Sequence, residues 1–456
     1  MVKNNFFSID PSKFRFVLSE AATKCDTLVD AVKRYRALVF SSDCSMLKSS
    51  NRSSNLAQRG ALNKFRNDPD YGGELNELLV SYAGFCPQYP LSNMSEIYTI
   101  RVKYGDRQDA LLYGEEVWGV LRGLETFSQM VYQREASFLV NSTFIIDYPR
   151  FPVRGIMLDT SRHFIPMSHL LESLDAMAYN KMNVFHWHIV DDQAFPYVSK
   201  KYPKMSELGA FRPTHIYTQA DVGEVIEYAR KRGIRVLIEF DTPGHTLSWG
   251  KAIKDLLTTC YRGSQPDGTF GPIDPTQNNT YQFLRDFFAE IVSVWPDDYV
   301  HLGGDEVDFN CWKSNPGIKD FMKQEGIEDY SKLESFYMQK LVRIVENLRK
   351  EYIVWQEVYD NGVHLGKNAV VHVWKHFGTF DYLQELKNIT ENGYRAIVSA
   401  PWYLNYISYG ADWPKYYSEE PLNFQGSRKQ KALVMGGIAC MWGEFVDGTN
   451  VISRTW

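Results

Sequence analysis

The sequence of 456 residues lacks the features that mark several large classes of protein. No stretch approaches the roughly 18 uninterrupted apolar residues that a membrane-spanning helix needs, so we expect no membrane span. Basic residues are not in excess, because 50 Lys and Arg stand against 55 Asp and Glu and leave a net charge of −5. Nucleic acid is therefore not an expected partner. The six cysteines form no C-x-x-C pair of the kind that zinc sites and redox centres use.

A secretory leader is also not visible, although other features favour the secretory route. The first 25 residues contain no apolar run of roughly 7–15 residues after a basic start. Six cysteines are available for disulfides, and N-x-S/T glycosylation sequons, more frequent than chance usage predicts, occur at Asn51, Asn93, Asn141, Asn278 and Asn388. We expect a lysosomal or secreted glycoprotein whose signal peptide is not present in this chain. A cytosolic protein with incidental sequons is the alternative.

Aromatic residues are abundant, at 14% of the chain, with 11 Trp, 28 Tyr and 27 Phe. Their flat faces can stack on sugar rings, but aromatic residues also simply fill cores. Hydrophobic residues at 44% and charged residues at 23% are ordinary values for a globular protein. Composition therefore indicates a folded protein with a sizeable core and leaves its function open.

Residues 1–149 show a mixture of helical and strand periodicities. Ala21–Val39 and Gly114–Met130 repeat apolar residues at helical spacing, whereas Ser95–Lys103 alternates as a strand does. Ser41–Asn67 is rich in Ser, Asn and Arg and is predicted to be a loop. The pattern predicts a small non-catalytic α/β domain.

A second domain, residues 150–456, is predicted to begin at the proline-containing segment Tyr148–Pro152. Eight apolar runs typical of buried strands follow, separated by amphipathic stretches, at Val153–Asp159, Val184–Asp191, Arg235–Asp241, Tyr299–Asp305, Tyr352–Glu357, Ala369–Trp374, Arg395–Ala400 and Gly437–Trp442. This alternation predicts a (β/α)8 TIM barrel of the α/β class, with its active site at the carboxyl ends of the strands. Only 14 residues follow Trp442, so we expect the last barrel helix to be missing and the domain to be C-terminally truncated.

Polar and charged residues cluster at the ends of these predicted strands. Such residues are costly beside a buried strand unless the protein uses them. They are Asp159, Arg162, His186, His188, Asp191, Asp192, Glu239, Asp241, His245, Asp305, Glu306, Glu357 and Glu444. The many carboxylates, without a serine-nucleophile or phosphate-binding motif, indicate hydrolysis by acid–base chemistry. Tryptophans near the same strand ends offer flat walls for a sugar, which favours a glycosidase.

The histidines of the second predicted strand allow two interpretations. His186 and His188 alternate on a strand and project to one face, where they could bind a metal together with Asp191. We favour the alternative, in which both histidines hydrogen-bond to neighbouring carboxylates, and we expect no metal and no organic cofactor. Structural roles are also expected for Asp192, Glu239 and Asp241.

Seven motifs resemble those of the family-20 β-N-acetylhexosaminidases and follow the family's order. HLGGDEVDFNCW, at His301–Trp312, resembles the family signature, in which an adjacent Asp-Glu pair ends the fourth strand. The others are LDTSRHF (Leu158–Phe164), NVFHWHIVDDQAFPY (Asn183–Tyr197), EFDTPGHTLSWG (Glu239–Gly250), VWQEV (Val354–Val358), SAPWYLN (Ser399–Asn405) and ACMWGE (Ala439–Glu444). The resemblance covers about residues 150–456 and is closest to the animal lysosomal enzymes. The first domain, with KRYRALVF, resembles their non-catalytic domain more weakly.

The resemblance implies a catalytic role for five residues. Glu306 would be the general acid and base, and Asp305 would hold the N–H of the substrate's 2-acetamido group. In this family the acetamido oxygen is the nucleophile and forms a cyclic oxazolinium intermediate with net retention. Tyr403 would hydrogen-bond that oxygen, while Asp191 and His245 would orient Glu306 and tune its proton affinity.

The resemblance also implies the residues that bind the substrate. They are Arg162 and Glu444 for the ring hydroxyls, Trp355, Trp374 and Trp442 for the walls of the sugar site, and Asn405. Two alternatives stay open: Arg162 could form a structural ion pair with Asp159 or Asp191, and Trp355 and Trp374 could pack in the core without touching substrate. Tyr406 stands where relatives with this asparagine have arginine, so the sequence lacks that cation for sulfated or sialylated substrates.

The family's disulfides imply two cysteine pairs in this chain. They are Cys260 with Cys311 and Cys25 with Cys86. Cys44 and Cys440 would then be free.

The sequence therefore predicts a two-domain retaining exo-β-N-acetylhexosaminidase that acts on glycans or glycoconjugates ending in N-acetylhexosamine. A homo- or heterodimer is expected, because the family is commonly dimeric. One alternative is a catalytically weak carbohydrate-binding subunit, weakened by the truncated carboxyl terminus, which would bind inhibitors without turnover. Another is a chitin-cutting endo-enzyme, which would release oligosaccharides rather than a monosaccharide.

Overall fold

A computed structural model of the chain describes residues 2–40, 65, 67–103, 109–134, 137–378 and 380–456. The chain divides into two compact units: residues 1–150 with 230–233, and residues 151–229 with 234–456. The predicted loop at Ser41–Asn67, with Cys44 and Asn51, lies almost entirely outside the described residues. Within the described part of the chain, no helix has the length and apolar character to cross a membrane.

The first unit is a mixed β-sheet with helices packed against it. Its elements are β1 (Val2–Ile9), β2 (Arg15–Leu18), α1 (Glu20–Thr23), α2 (Asp26–Phe40), β3 (Tyr71–Glu74), β4 (Glu77–Tyr82), β5 (Tyr98–Val102), β6 (Ala110–Gly114), α3 (Val117–Met130), β7 (Tyr132–Arg134) and β8 (Ser137–Asp147). The strand order is β2-β4-β6-β5-β8-β1-β3, with β7 paired to β8. Leu28 and Trp118 from the helices and Ile100 from the sheet are buried in one core.

One predicted helix of this unit is two helices in the structure. The apolar repeat of Ala21–Val39 continues through both, but α1 ends at Thr23 and α2 begins at Asp26. Cys25 lies in the break and is bonded to Cys86. Periodicity alone gives no sign of this break, because apolar spacing is kept across it.

The second unit is built around a closed barrel of parallel strands. Its elements are β9 (Val153–Asp159), α4 (Met167–Tyr179), β10 (Val184–His188), α5 (Lys204–Gly209), α6 (Gln219–Arg230), β11 (Arg235–Glu239), β12 (Leu257–Arg262), β13 (Gln265–Ile273), α7 (Asn278–Val294), β14 (Tyr299–His301), α8 (Phe309–Ser314), α9 (Pro316–Glu325), α10 (Tyr330–Asn347), β15 (Glu351–Trp355), α11 (Gln356–Asp360), β16 (Val370–Val373), α12 (Tyr382–Glu391), β17 (Arg395–Val398), α13 (Trp413–Tyr417), α14 (Arg428–Lys431), β18 (Val434–Met441) and α15 (Val451–Thr455). Eight described strands close the barrel in the order β10-β11-β14-β15-β16-β17-β18-β9. The (β/α)8 prediction is confirmed.

The structure adds two elements that the sequence analysis did not expect. β12 and β13 form a separate antiparallel hairpin after the third barrel strand. A helix of five residues, α15, follows the eighth strand, where the sequence analysis expected no helix. Its Arg454 donates to the backbone carbonyl of Asn405 at 3.1 Å, which ties this helix to the loop after β17.

Apolar side chains fill the barrel toward the amino ends of its strands. Val153, Leu237, Ile353, Ile397 and Ile438 are buried together there. Polar side chains are instead concentrated at the carboxyl ends, so the candidate site lies on a packed floor.

The cysteines and sequons fall at defined places in each unit. The structure joins Cys25 to Cys86 and Cys260 to Cys311, and among the described cysteines only Cys440 is free and is buried. Exposed sequon asparagines are Asn93 and Asn278, while Asn141 and Asn388 are partly buried.

A buried ion pair supports the amino-terminal end of the barrel. Arg235, at the start of β11, donates to both carboxylate oxygens of Asp297, at 2.8 and 2.7 Å, and both residues are buried. We expect Asp297→Ala to lower the free energy of unfolding by about 3–5 kcal/mol, because the guanidinium would stay buried without its partner. Guanidinium denaturation followed by tryptophan fluorescence measures this loss.

A matched control is Asp267→Ala, since Asp267 is exposed on β13. This substitution should change the free energy of unfolding by less than about 0.5 kcal/mol. Equal unfolding midpoints for the two variants would show that the Arg235–Asp297 pair does not stabilise the barrel.

Candidate active site

The carboxyl ends of the barrel strands bring the predicted site residues to one edge. Asp159, His188, Glu239 and Trp355 are the last residues of their strands. The other predicted residues follow their strands at once or after a short loop, namely Arg162, Asp191, His245, Asp305, Glu306, Trp374, Tyr403, Asn405, Trp442 and Glu444. Residues far apart in sequence therefore share one site.

The loop after β14 places the adjacent Asp305 and Glu306. Gly303 and Gly304 have φ angles of +68° and +101°, so the chain leaves the extended conformation at once. A Cβ atom at Gly303 would lie 1.7 Å from Oδ1 of Asp241, so no side chain fits there. The turn buries Asp305, whereas the Glu306 side chain keeps 59% of its surface exposed. These glycines explain why β14 ends at His301 rather than at the predicted Asp305.

Glu306 faces a chain of two further titratable groups. Nε2 of His245 lies 3.8 Å from Oε2 of Glu306, and Nδ1 of His245 lies 3.1 Å from Oδ1 of Asp191. Burial raises the pKa of Glu306, and the neighbouring Asp305 raises it further. Although burial opposes it, Asp191 raises the pKa of His245 to about 9. His245 is therefore a cation at neutral and acidic pH.

Arg162 is held by carboxylates on several sides. Its guanidinium donates to Asp159 at 2.9 Å and lies 2.9 Å from Asp191 and 4.0 Å from Glu444. The guanidinium also lies over the Trp442 ring, 4.9 Å from its centroid. The ion pairs considered in the sequence analysis are therefore both present. They do not remove Arg162 from the site, because Glu444 and Trp442 stand beside it.

Four aromatic rings lie close together at the carboxyl ends of the strands. Tyr403 and Trp374 are roughly parallel, at 28° with centroids 6.3 Å apart, and Tyr403 lies 6.5 Å from Trp442. Trp442 in turn lies 6.1 Å from Trp355. Trp355 is fully buried and lies at the floor of this group of four rings, which we call the aromatic cage. Burial holds the pKa of Tyr403 well above its ordinary value, so its hydroxyl remains a donor.

The histidines of β10 bind a carboxylate, as the favoured interpretation predicts. Nε2 of His186 lies 2.7 Å from Oε2 of Glu239, and Nδ1 of His188 lies 2.8 Å from the same oxygen. The Trp355 indole N–H donates to the other oxygen at 2.7 Å. His186, Glu239 and His301 have donor atoms within 4.8 Å of one another, a spacing that a metal could use. Both oxygens of Glu239 are thus already paired within the protein.

Two glutamates near the site, the partly buried Glu357 and the buried Glu334, received no role from the sequence analysis. Oε2 of Glu357 accepts the Trp374 indole N–H at 2.8 Å, and its Oε1 lies 3.1 Å from Nζ of Lys375. Glu334, on α10, is buried, and each of its carboxylate oxygens accepts a hydrogen bond from Nδ2 of Asn361. The sequence carried one sign that Glu334 is buried, because it falls on the apolar stripe of an amphipathic helix.

Asn405 and Tyr406 lie at the outer margin of the cage. The Tyr406 ring is 5.3 Å from Tyr403 and is 55% exposed. Asn405 is partly buried, and no described residue hydrogen-bonds to its Oδ1. The structure thus places Asn405 next to Tyr406 with a buried acceptor that is unpaired among the described residues.

Comparisons with known proteins agree on one family. "Glycosyl hydrolase family 20, catalytic domain" matches residues 151–456, and "beta-acetyl hexosaminidase like" matches residues 1–130. The chain is 51% identical to the Bos taurus beta-hexosaminidase subunit alpha, over 99% of this chain and 83% of the relative. It is 49% identical to the Homo sapiens beta-hexosaminidase subunit beta, over 96% of this chain and 75% of the relative.

A solved structure supports the same assignment. The Flavobacterium johnsoniae chitobiase has a TM-score of 0.81 and 28% identity, covering 100% of this chain and 66% of that chain. The matched regions include every motif on which the sequence resemblance rests. This chain belongs to glycosyl hydrolase family 20, the β-N-acetylhexosaminidase family of glycoside hydrolases.

Proposed function

We propose that this chain is a retaining exo-β-N-acetylhexosaminidase that removes terminal β-linked GlcNAc or GalNAc with the help of the substrate's own acetamido group. The observation that carries the proposal is the Asp305–Glu306 pair beside the aromatic cage. One carboxyl group is half exposed beside a cation, and its neighbour is buried. A single proton donor and a buried carboxylate suit a reaction in which the nucleophile comes from the substrate.

Glu306 supplies the acid of the first step. Its raised pKa keeps a fraction of the carboxyl protonated at acidic pH, so it can donate its proton to the glycosidic oxygen. As that oxygen leaves C1, the acetamido carbonyl oxygen bonds to C1 and forms the oxazolinium ring. The electron pair of the broken C1–O bond goes to the leaving oxygen.

The cage and Asp305 hold the acetamido group during this attack. The methyl packs between the rings of the cage, and the Tyr403 hydroxyl donates to the carbonyl oxygen that becomes the nucleophile. Asp305 accepts the amide N–H and stabilises the positive charge that the amide acquires. Trp374 is fixed for this purpose by the hydrogen bond to Glu357.

The second step reverses the proton transfer. The Glu306 carboxylate takes a proton from water as that water attacks C1 and opens the oxazolinium ring, which gives net retention. The His245 cation, 3.8 Å away, stabilises the carboxylate in this step, and Asp191 holds His245 in place. Arg162 and Glu444 bind the ring hydroxyls at the non-reducing end.

The substrates and setting follow from the same site and from the relatives. Terminal N-acetylhexosamine on glycans or glycoconjugates fits the proposed site, and neither epimer at C4 is excluded by it. The relatives are named as alpha and beta subunits, which supports a homo- or heterodimer. We propose a lysosomal or secreted location, with sugar chains at the sequon asparagines.

The acid role of Glu306 predicts a dependence on the leaving group. Glu306→Gln should lower kcat/KM, which reports the first step, for N,N′-diacetylchitobiose by about 10²- to 10⁴-fold. The loss should be smaller for 4-nitrophenyl β-GlcNAc, because nitrophenolate leaves without a proton. Steady-state rates of both substrates measure the difference. Glu172→Gln, at an exposed position on α4, serves as the control. Equal losses on both substrates would contradict the acid role.

The acetamido nucleophile predicts a dependence on the substrate's amide. Replacing the acetyl methyl of 4-nitrophenyl β-GlcNAc by trifluoromethyl withdraws electrons from the carbonyl oxygen. We expect kcat to fall at least about tenfold, because this oxygen is the nucleophile. An unchanged kcat would show that an enzyme group attacks C1 instead.

The pKa of Glu306 predicts the pH profile and how His245 changes it. The protonated form of Glu306 acts first, so kcat/KM should peak between about pH 4 and 6 and fall as pH rises through its raised pKa. His245 lowers the pKa of Glu306, so His245→Gln should move this basic limb up by about half a unit or more, with a lower kcat.

His169→Gln is the matched control, because His169 pairs with Glu172 on α4. Its profile should overlay that of the unmodified chain. A flat profile up to pH 8, or a basic limb that His245→Gln moves to lower pH, would contradict this assignment.

A further inference from the structure

Three fully buried polar side chains inside the barrel have no role in the proposed reaction. They are His301 at the end of β14, His372 on β16 and Ser399, the first residue after β17. Nε2 of His301 lies 3.2 Å from Nδ1 of His372, and Nε2 of His372 lies 2.6 Å from Oγ of Ser399. The backbone N–H of Gly303 donates to Nδ1 of His301 at 3.1 Å, and the Ser399 hydroxyl donates to the carbonyl oxygen of Ile438. We call this chain of hydrogen bonds the His372 relay.

The direction of every hydrogen bond in the His372 relay follows from its two ends. A carbonyl oxygen only accepts, so the single proton of Ser399 goes to Ile438, and Nε2 of His372 must donate to Ser399. A neutral imidazole has one N–H, so Nδ1 of His372 accepts from Nε2 of His301. This leaves Nδ1 of His301 as an acceptor, and it is this atom that receives the Gly303 N–H. The two ends agree because both rings are neutral.

Burial keeps the two rings neutral. It lowers the pKa of His301 to about 3, although the Glu239 carboxylate opposes this shift. Burial also holds the pKa of His372 well below its ordinary value, and the neighbouring histidines add to this effect. The titratable groups that face the relay lie on β10, β11 and β18, namely His186, His188, Glu239 and Cys440. At the acidic pH proposed for activity, the relay therefore has one fixed arrangement of protons.

One end of the relay holds the turn that carries Asp305. The N–H of Gly303 is bound to His301, and its carbonyl oxygen accepts the backbone N–H of Trp355 at 3.0 Å. Both peptide groups of Gly303 are thus anchored two residues before Asp305.

The other end of the relay holds the turn that carries Tyr403. The backbone N–H groups of Ser399 and Ala400 donate to the carbonyl oxygen of Val373, at 2.8 and 3.1 Å. The carbonyl oxygen of Ser399 accepts the N–H of Trp402 at 2.8 Å, and Tyr403 follows at once. Ser399 is therefore the residue on which this turn is built.

No backbone ladder fixes the two turns relative to each other. β14 and β17 are not neighbours in the barrel, because β15 and β16 lie between them. The relay crosses this gap through His372, whose ring stacks on Trp355 with centroids 4.2 Å apart. It is a direct side-chain connection between the ends of the two strands.

We propose that the His372 relay fixes the spacing between Asp305 and Tyr403, and that His372 is thereby a positioning residue. This inference rests on the proposed function, in which these two groups hold the acetamido group of the substrate. The contacts to that group strengthen as its oxygen attacks C1, so an error in their spacing lowers kcat more than it raises KM. A misplacement of about 1 Å can cost about 10²-fold in rate.

The first test is His372→Phe, which keeps a ring against Trp355 and removes both hydrogen bonds. We expect kcat for 4-nitrophenyl β-GlcNAc to fall about 10- to 100-fold, while KM changes less than about twofold. The thiazoline made from GlcNAc has the fused ring of the proposed oxazolinium intermediate. Its Ki should rise at least about tenfold, because it depends on the same spacing.

Two readouts separate positioning from a purely structural role. Partial unfolding would lower the number of active molecules and leave the thiazoline Ki of the remaining ones unchanged. Both limbs of the kcat/KM profile against pH should stay in place, because the relay is neutral. An unchanged Ki in His372→Phe, or a shifted limb, would overturn the inference and leave the proposed function standing.

Ser399→Ala tests the other end of the relay with the loss of a single heavy atom. It should lower kcat about two- to tenfold, the range for one hydrogen bond, and raise the thiazoline Ki by a similar factor. The double variant should be no slower than His372→Phe alone, because both changes break one chain. Multiplied losses would overturn the inference.

Ser173→Ala is the matched control. Ser173 is buried on α4, and its hydroxyl has no hydrogen-bond partner among the described residues. This variant should leave kcat and the thiazoline Ki unchanged, and a loss equal to that of Ser399→Ala would count against the relay. Failure of the unmodified chain to cleave 4-nitrophenyl β-GlcNAc would overturn the proposed function itself.

Discussion

The arrangement of the barrel mouth depends on one buried carboxylate, Asp191. It accepts from Nε2 of His188 at 2.8 Å and lies 2.9 Å from Arg162 and 3.1 Å from Nδ1 of His245. Burial opposes the charge of Asp191, but these partners hold its pKa well below the ordinary value. Each partner serves a different part of the proposed site: Arg162 the ring hydroxyls, and His245 the reacting carboxyl. Loss of this charge would leave His245 without its hydrogen-bonded carboxylate, whereas Arg162 would keep Asp159 and His188 would keep Glu239.

Through His188, the same network continues to the floor of the aromatic cage. Its second ring nitrogen lies 2.8 Å from Glu239, which in turn accepts the Trp355 indole N–H. Although burial opposes it, Glu239 and Asp191 raise the pKa of His188 to about 10. A continuous set of charged contacts thus joins Arg162 to the wall of the aromatic cage. The polar groups proposed to bind different ends of the sugar are therefore held in one geometry rather than independently.

The sequence predicts what depends on local pattern and misses what depends on packing. The eight barrel strands follow from short apolar runs, and the site follows from polar residues at their ends, because parallel strands bring those ends together. Glu334 lies in the second turn of α10, far in sequence from the end of any strand, and only tertiary packing brings it to Asn361 after α11. The break between α1 and α2 is equally hidden, because the apolar spacing continues across it. What marks the break is the disulfide at Cys25. The β12–β13 hairpin lies in a connection where no barrel rule requires a strand.

The two disulfides bear on how this chain can be produced. They join cysteines 61 and 51 residues apart, so each removes loop entropy worth about 4 kcal/mol from the unfolded state. Each unit contains one of them, so a host with a reducing cytosol would deprive both halves of the chain of a cross-link at once. Recombinant material made there would lose, in each unit, a stabilisation comparable to a large part of the about 5–15 kcal/mol by which a typical domain resists unfolding. An oxidising folding compartment is thus a condition for obtaining the protein, independent of any requirement of its chemistry.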